Sequence, residues 1–190
     1  MDFFIFRHGE TANNVRQIWQ GYVGNPDINY RGVKYARNLA FALQRKDIEV
    51  IVSSPLLRAY HTASIVATHC QVPLLIRENL HEVDYGNAEG MSFSRVKELW
   101  PENCKRWHNP IATDWTDKFE NGETMQEALN RILSVLDELS CSHQHERIAI
   151  ACHGGLIVLL LGYLGVHNPR ISNCECIHVR KDLNGNYHLV

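Results

Sequence analysis

Four short apolar runs, at residues 3–7, 50–53, 73–76 and 147–152, alternate with stretches whose apolar residues recur every three or four positions. That alternation restrains the chain more than any other feature. Runs this short, without a polar residue at every second position, fit strands buried on both faces. Between them Val33, Ala36, Leu39, Ala40 and Leu43 lie at helical spacing, as do Met125, Ala128, Leu129, Ile132, Leu133, Leu136 and Leu139. Both stripes read as packing faces of amphipathic helices. Strands alternating with helices imply βαβ units, hence an α/β three-layer sandwich whose mostly parallel sheet carries helices on both faces. Near the end, Asn173 to Arg180, a Leu183-Asn184-Gly185-Asn186 turn signal and Tyr187 to Val190 predict an antiparallel edge hairpin.

With 190 residues, 45% hydrophobic and 21% charged, residues 1–190 read as one domain. Residues 86–122 break the alternation with Gly86, Gly90, Pro101, Pro110, Gly122 and three of the four tryptophans. They lack the length for a core of their own and read as a lid or specificity insertion. A formal charge of −2 without a basic run disfavours nucleic acid and anionic membranes as partners. The longest apolar stretch, Leu156 to Val166, is eleven residues with two glycines, which suits a buried helix and is too short to span a bilayer. Arg7 interrupts the apolar start at Phe6, leaving no secretory signal, so the cytoplasm is expected and the six cysteines are expected to be reduced thiols. Cys174 and Cys176 would share one strand face as packing residues, and His143 and His145 would lie in a solvated loop.

Ligands of open α/β sheets bind beyond the carboxyl ends of the strands, where helices present their N-termini. Three segments fall there. The first strand runs into Arg7-His8-Gly9-Glu10-Thr11, and the second into Ser53-Ser54-Pro55 with Arg58 shortly after. A later strand ends at Cys152-His153-Gly154-Gly155. Ser54 would cap a helix beginning at Pro55, with Arg58 facing outward over the strand ends. Two guanidinium groups, two imidazoles and free backbone N–H groups, without clustered carboxylates for a metal, suit an oxyanion, and a phosphoryl group above all. Singly, Arg7 and Arg58 read as surface ion-pair partners and His8 and His153 as core histidines; their convergence favours a site.

Arg7-His8-Gly9-Glu10-Thr11 with Asn14, Ser53-Ser54-Pro55-Leu56 with Arg58-Ala59, then Glu82 and His153-Gly154-Gly155 together resemble the histidine phosphatase superfamily in its phosphoglycerate mutase-like branch. The resemblance covers nearly the whole chain. Gln20-Gly21, the segment from Leu80 to Gly90, Gly122-Glu123-Thr124 and Asn173 also resemble that branch. It implies His8 as nucleophile through a phosphohistidine, with Arg7, Arg58 and His153 neutralising the phosphoryl oxygens and no metal or other cofactor. Glu82 matches the position of the family's acid, with Asp84 as its rival. Glu89 and Glu123 also match family positions but equally suit helix N-termini. Asn14, Gln20, Gly21 and Gly154 are candidate substrate-binding residues, the first two having loop capping as their alternative.

The implied activity is hydrolysis of a small phosphorylated metabolite, a phosphomonoester. Mutase-type phosphoryl transfer and a non-catalytic phosphate-binding module are the alternatives. The substrate and the oligomeric state stay open, although relatives of the family are often homodimers. His61 and Asp27-Ile28-Asn29 depart from the residues of many relatives. His61 is expected to pack on its own helix, and Cys152, beside His153, to be a buried inert thiol.

Overall fold

The computed structural model describes residues 1–111, 115–142 and 144–190. Its sheet has the order β3-β2-β4-β1-β5-β6. The members are β1 (Asp2–Arg7), β2 (Val50–Ser53), β3 (Leu74–Ile76), β4 (Arg147–Cys152), β5 (Cys176–Lys181) and β6 (Tyr187–Leu189). β1, β2, β3 and β4 run parallel, and β5 pairs antiparallel with both β1 and β6. The mixed α/β fold and antiparallel edge expected from the sequence are therefore present. Among the described residues no helix is long and apolar enough to cross a membrane.

Successive side chains of a strand point to opposite faces, and the apolar runs use both. Phe3, Ile5, Val50, Val52, Ile148 and Ile150 pack into one core with α6 (Met125–Ser142) and α7 (Gly154–Tyr163). Phe4, Phe6, Ile51, Ala149 and Ala151 enter another beneath α2 (Tyr30–Gln44) and α3 (Leu57–Cys70). Small residues on that second face of β4 let the helices approach. α2 starts where the Asn29 side chain accepts from Gly32 N at 2.8 Å. α6 starts with a capping box in which Thr124 and Glu127 exchange bonds of 3.1 and 2.8 Å.

Several local expectations differ from the structure. The 73–76 run is no buried strand: β3 is the sheet's edge, and Leu75 and Ile76 are each 38% exposed there. α3 begins at Leu57, with Leu56 rather than Ser54 at its cap position, although the Ser54 hydroxyl still accepts from Leu56 N at 3.2 Å. Cys174 has φ of +58° and lies outside β5, yet it packs with Cys176 against the same core. His61 does not pack on its helix; its Nδ1 meets Asp27 Oδ1 at 2.8 Å near the surface. His145 lies 3.5 Å from Glu49, and His143 falls outside the described residues.

The segment at 86–122 contributes a 3₁₀ turn (Gly86–Ala88), α4 (Phe93–Leu99) and α5 (Pro101–His108). Its buried Val96, Cys104, Trp107 and Phe119 join the α6 and α7 core. Trp19 reaches in from the first loop, edge-on to Tyr85, Phe93 and Phe119 at ring separations of 5.2, 4.9 and 5.6 Å.

Candidate active site

The chain leaves β1 at Arg7 and immediately spends its polar groups on fixing His8. The His8 ring donates from Nδ1 to the Gly9 carbonyl at 2.7 Å, since a carbonyl can only accept. That bond leaves Nε2 as the unprotonated nitrogen of the neutral ring. Burial, then the charges of Arg7 and Arg58, holds the imidazole well below its ordinary pKa of 6.5. Gly9 N donates to the Thr62 hydroxyl at 2.8 Å, which in turn donates to the Arg58 carbonyl at 2.6 Å, tying the β1 loop to α3. Gly9 sits so close to Gly32 that a Cβ would come within 2.9 Å of the Gly32 carbonyl oxygen.

Arg58, in the first turn of α3, is fully buried. Its guanidinium does not face outward as expected: Nη1 donates to the Gly24 carbonyl at 2.9 Å and Nη2 to the Gly21 carbonyl at 2.8 Å. A buried cation needs acceptors, and the loop at 20–25 supplies them. Arg7 donates from Nη1 to the Ile171 carbonyl at 2.8 Å. Burial lowers the pKa of both arginines, and the Glu82 carboxylate opposes that most strongly.

At the end of β4, His153 bonds the Ser54 hydroxyl through Nε2 at 2.7 Å, while its Nδ1 is buried and unpartnered. Its pKa is also pushed down, by burial and then by Arg58. Arg7 Nε and Arg58 Nε are likewise buried without a partner, so three nitrogens of the four cationic or imidazole groups are unsatisfied. Glu82 accepts from Val83 N at 3.0 Å and Gly155 N at 3.3 Å, at the N-terminus of α7. A Cβ on Gly155 would come within 2.6 Å of Glu82 Oε1, so this glycine makes room for the carboxylate.

These elements border a cavity of about 380 Å³, within the range of about 300–1,000 Å³ usual for small-molecule sites. Arg7, His8, Asn14, Gln20, Gly21, Glu82 and Gly154 line it, together with Trp19, Phe93, Trp107, Val158 and Ile171. Arg58 and His153 stand behind that wall. The His8 and His153 ring centroids lie 5.3 Å apart, with the ring planes tilted by 56°.

A sequence model of the histidine phosphatase superfamily (branch 1) matches residues 3–183. The chain belongs to that superfamily. It is 32% identical over 149 residues to phosphoserine phosphatase 1 of Hydrogenobacter thermophilus, covering 78% of this chain and 69% of that one. It is 30% identical over 165 residues to the adenosylcobalamin/alpha-ribazole phosphatase of Escherichia coli, covering 86% and 79%. The alpha-ribazole phosphatase of Shigella flexneri superposes with a TM-score of 0.79 at 25% identity, over 100% of this chain and 95% of that one. A mycobacterial glucosyl-3-phosphoglycerate phosphatase complexed with VO3 has the same fold, with a TM-score of 0.86 at 22% identity over 99% and 96% of the two chains. These homologues and structural neighbours of this histidine phosphatase are named phosphatases.

In this histidine phosphatase, Asn14 both lines the cavity and caps a loop. Its Oδ1 accepts from Thr11 N at 3.0 Å and from Asn173 Nδ2 at 3.2 Å. Gln20 Oε1 accepts from the Thr11 hydroxyl at 2.9 Å. Asp84, the rival acid, points into its own loop and accepts from Gly86 N at 2.8 Å. Glu123 pairs with Arg131 at 2.6 Å, and Glu89 accepts from the backbone N–H groups of Tyr22, Val23 and Tyr85. Burial raises the Cys152 thiol pKa strongly, as suits an inert core group. Sequence reasoning missed Trp19, Phe93, Trp107 and Ile171 as cavity walls. The concentration of tryptophan in 86–122 was the available signal, but spacing alone did not show which rings turned inward.

Proposed function

We propose that this chain hydrolyses small phosphomonoesters through a phosphohistidine formed on His8, without a metal ion. The observation that carries this reading is the His8 ring: Nδ1 is spent on Gly9 and Nε2 has no protein partner among the described residues, beside the guanidiniums of buried Arg58 and half-buried Arg7. The Nε2 lone pair attacks phosphorus as the ester P–O bond breaks, and Glu82, as the acid, gives its proton to the departing alkoxide. Glu82 then takes a proton from water, whose oxygen attacks phosphorus as the N–P bond breaks. Phosphate leaves, and both residues return to their starting states. Arg7 from the cavity wall, and Arg58 and His153 from just behind it, stabilise the negative charge on the phosphoryl oxygens in flight. Guanidiniums and imidazoles, not clustered carboxylates, supply that role, which supports the metal-free reading.

Residues 1–190 act as one domain in this reading, because 86–122 packs into the same core as the sheet. That segment reads the organic part of the substrate, a role supported by Phe93, Trp107 and His108, which also border the cavity. Asn14, Gln20, Gly21 and Gly154 would hold the ester between them. The free state of all six cysteines supports work in the reducing cytoplasm. The test is hydrolysis of p-nitrophenyl phosphate in EDTA, joined to rapid-quench capture of an acid-labile phosphoryl group. Full turnover in EDTA and a label on His8 are expected; turnover abolished by EDTA, or a label unaffected by His8→Ala, would overturn the reading.

A further inference from the structure

The loop at 20–25 runs between two charged side chains that form no ion pair with each other. On one side, Arg58 donates to the Gly21 and Gly24 carbonyls at 2.8 and 2.9 Å. On the other, the Glu89 carboxylate accepts from Tyr22 N at 2.8 Å, Val23 N at 2.9 Å and Tyr85 N at 3.1 Å. The Gly21 carbonyl and the Tyr22 N–H belong to the same peptide group. Guanidinium, peptide and carboxylate therefore form one continuous hydrogen-bonded line, with the oxygen end of the peptide dipole on the cation and its N–H end on the anion. Each bond polarises the peptide in the sense that strengthens the other. Gly21 has φ of +60°, and a Cβ there would run into the Glu89 side chain, so the chain has a glycine where this line requires one.

Arg58 carries five N–H donors. The loop takes two of them, and the buried, unpartnered Nε is among the rest. Glu89 is half-buried, and Tyr22, Val23 and Tyr85 all meet its carboxylate through backbone N–H groups. We propose that Glu89 is a positioning residue, which sets the Arg58 guanidinium for the phosphoryl group through the Gly21–Tyr22 peptide. The proposal rests on the phosphate-binding role given to Arg58 above.

Inorganic phosphate, assayed as a competitive inhibitor of p-nitrophenyl phosphate hydrolysis, tests the coupling in a double-mutant cycle of Glu89→Gln and Arg58→Lys. Glu89→Gln alone is expected to weaken phosphate about tenfold, and less than about twofold when added to Arg58→Lys. A purely structural loss would weaken phosphate by the same factor in both backgrounds, and that result overturns the proposal while leaving the phosphatase reading intact. Phosphate inhibition unchanged in Arg58→Lys would remove Arg58 from the site, and the proposal with it. Thermal melts establish that each variant is folded. Should Glu89→Gln not fold, Glu89→Asp, which keeps the charge but shortens its reach, enters the same cycle under the same criterion.

Discussion

The two ends of the cavity are built in different ways. At the strand end, His8, Arg58, Glu82 and His153 are all nearly or fully buried, and each follows a strand or opens a helix within a few residues. At the mouth, Phe93 is 42% exposed and Arg170 is exposed, carried by a short helix and a loop. Groups that handle charge at phosphorus must be held without reorganisation, and buried strand ends supply that rigidity. Side chains that meet the rest of a substrate need only shape, so exposed positions can carry them at little cost in stability.

The largest effect tests the strand end. His8→Ala should abolish turnover of every phosphomonoester, by roughly 10³-fold or more, as removal of a nucleophile does; a variant retaining a tenth of wild-type kcat would break the contrast at its strongest point. Glu82→Gln comes next. It should slow alkyl phosphates by about 10²- to 10⁴-fold and p-nitrophenyl phosphate much less, because p-nitrophenolate leaves without needing a proton. Equal losses for both leaving groups would show that the carboxyl is no acid.

A third effect is on stability. The folded pKa values of His8 and His153 lie below 6.5, so as pH falls beneath that value the unfolded chain binds protons that the folded chain refuses. Stability is therefore lost as the solution is acidified. Urea midpoints measured between about pH 7 and 5 should fall more steeply for wild type than for His8→Gln; parallel slopes would show that burial of His8 is not felt in the fold. The smallest effect belongs to the mouth. Phe93→Ala should raise KM for an aryl phosphate by a few-fold, leave kcat nearly unchanged and cost little stability, because the ring is already partly in water. A large fall in kcat would erase the distinction between the two ends.

Local chemistry made most of the strand end legible. An apolar run halted by Arg7-His8-Gly9 can only present those groups at a strand terminus, and Gly154-Gly155 after Cys152 marks a helix start close to a ligand. The hairpin from β5 to β6 was legible too, through its Asn-Gly turn. Ser54 marks a limit: its hydroxyl accepts from Leu56 N at 3.2 Å, as local chemistry suggests, but it also bonds His153, 99 positions later, which no local pattern foretells. Glu89 shows the same limit. Its partners Tyr22 and Val23 lie 67 and 66 positions away, and no pattern along the chain pairs them.

What the sequence determined by itself was the order of strands and helices and the kinds of group at each strand end, because periodicity and turn chemistry act over a few residues. Tertiary structure alone decided that Arg58 turns to the 20–25 loop, that Glu89 reaches that loop from the other side, and which aromatic rings wall the cavity. Those outcomes depend on contacts between distant segments, and burial makes each such contact compulsory only once the sheet has brought them together.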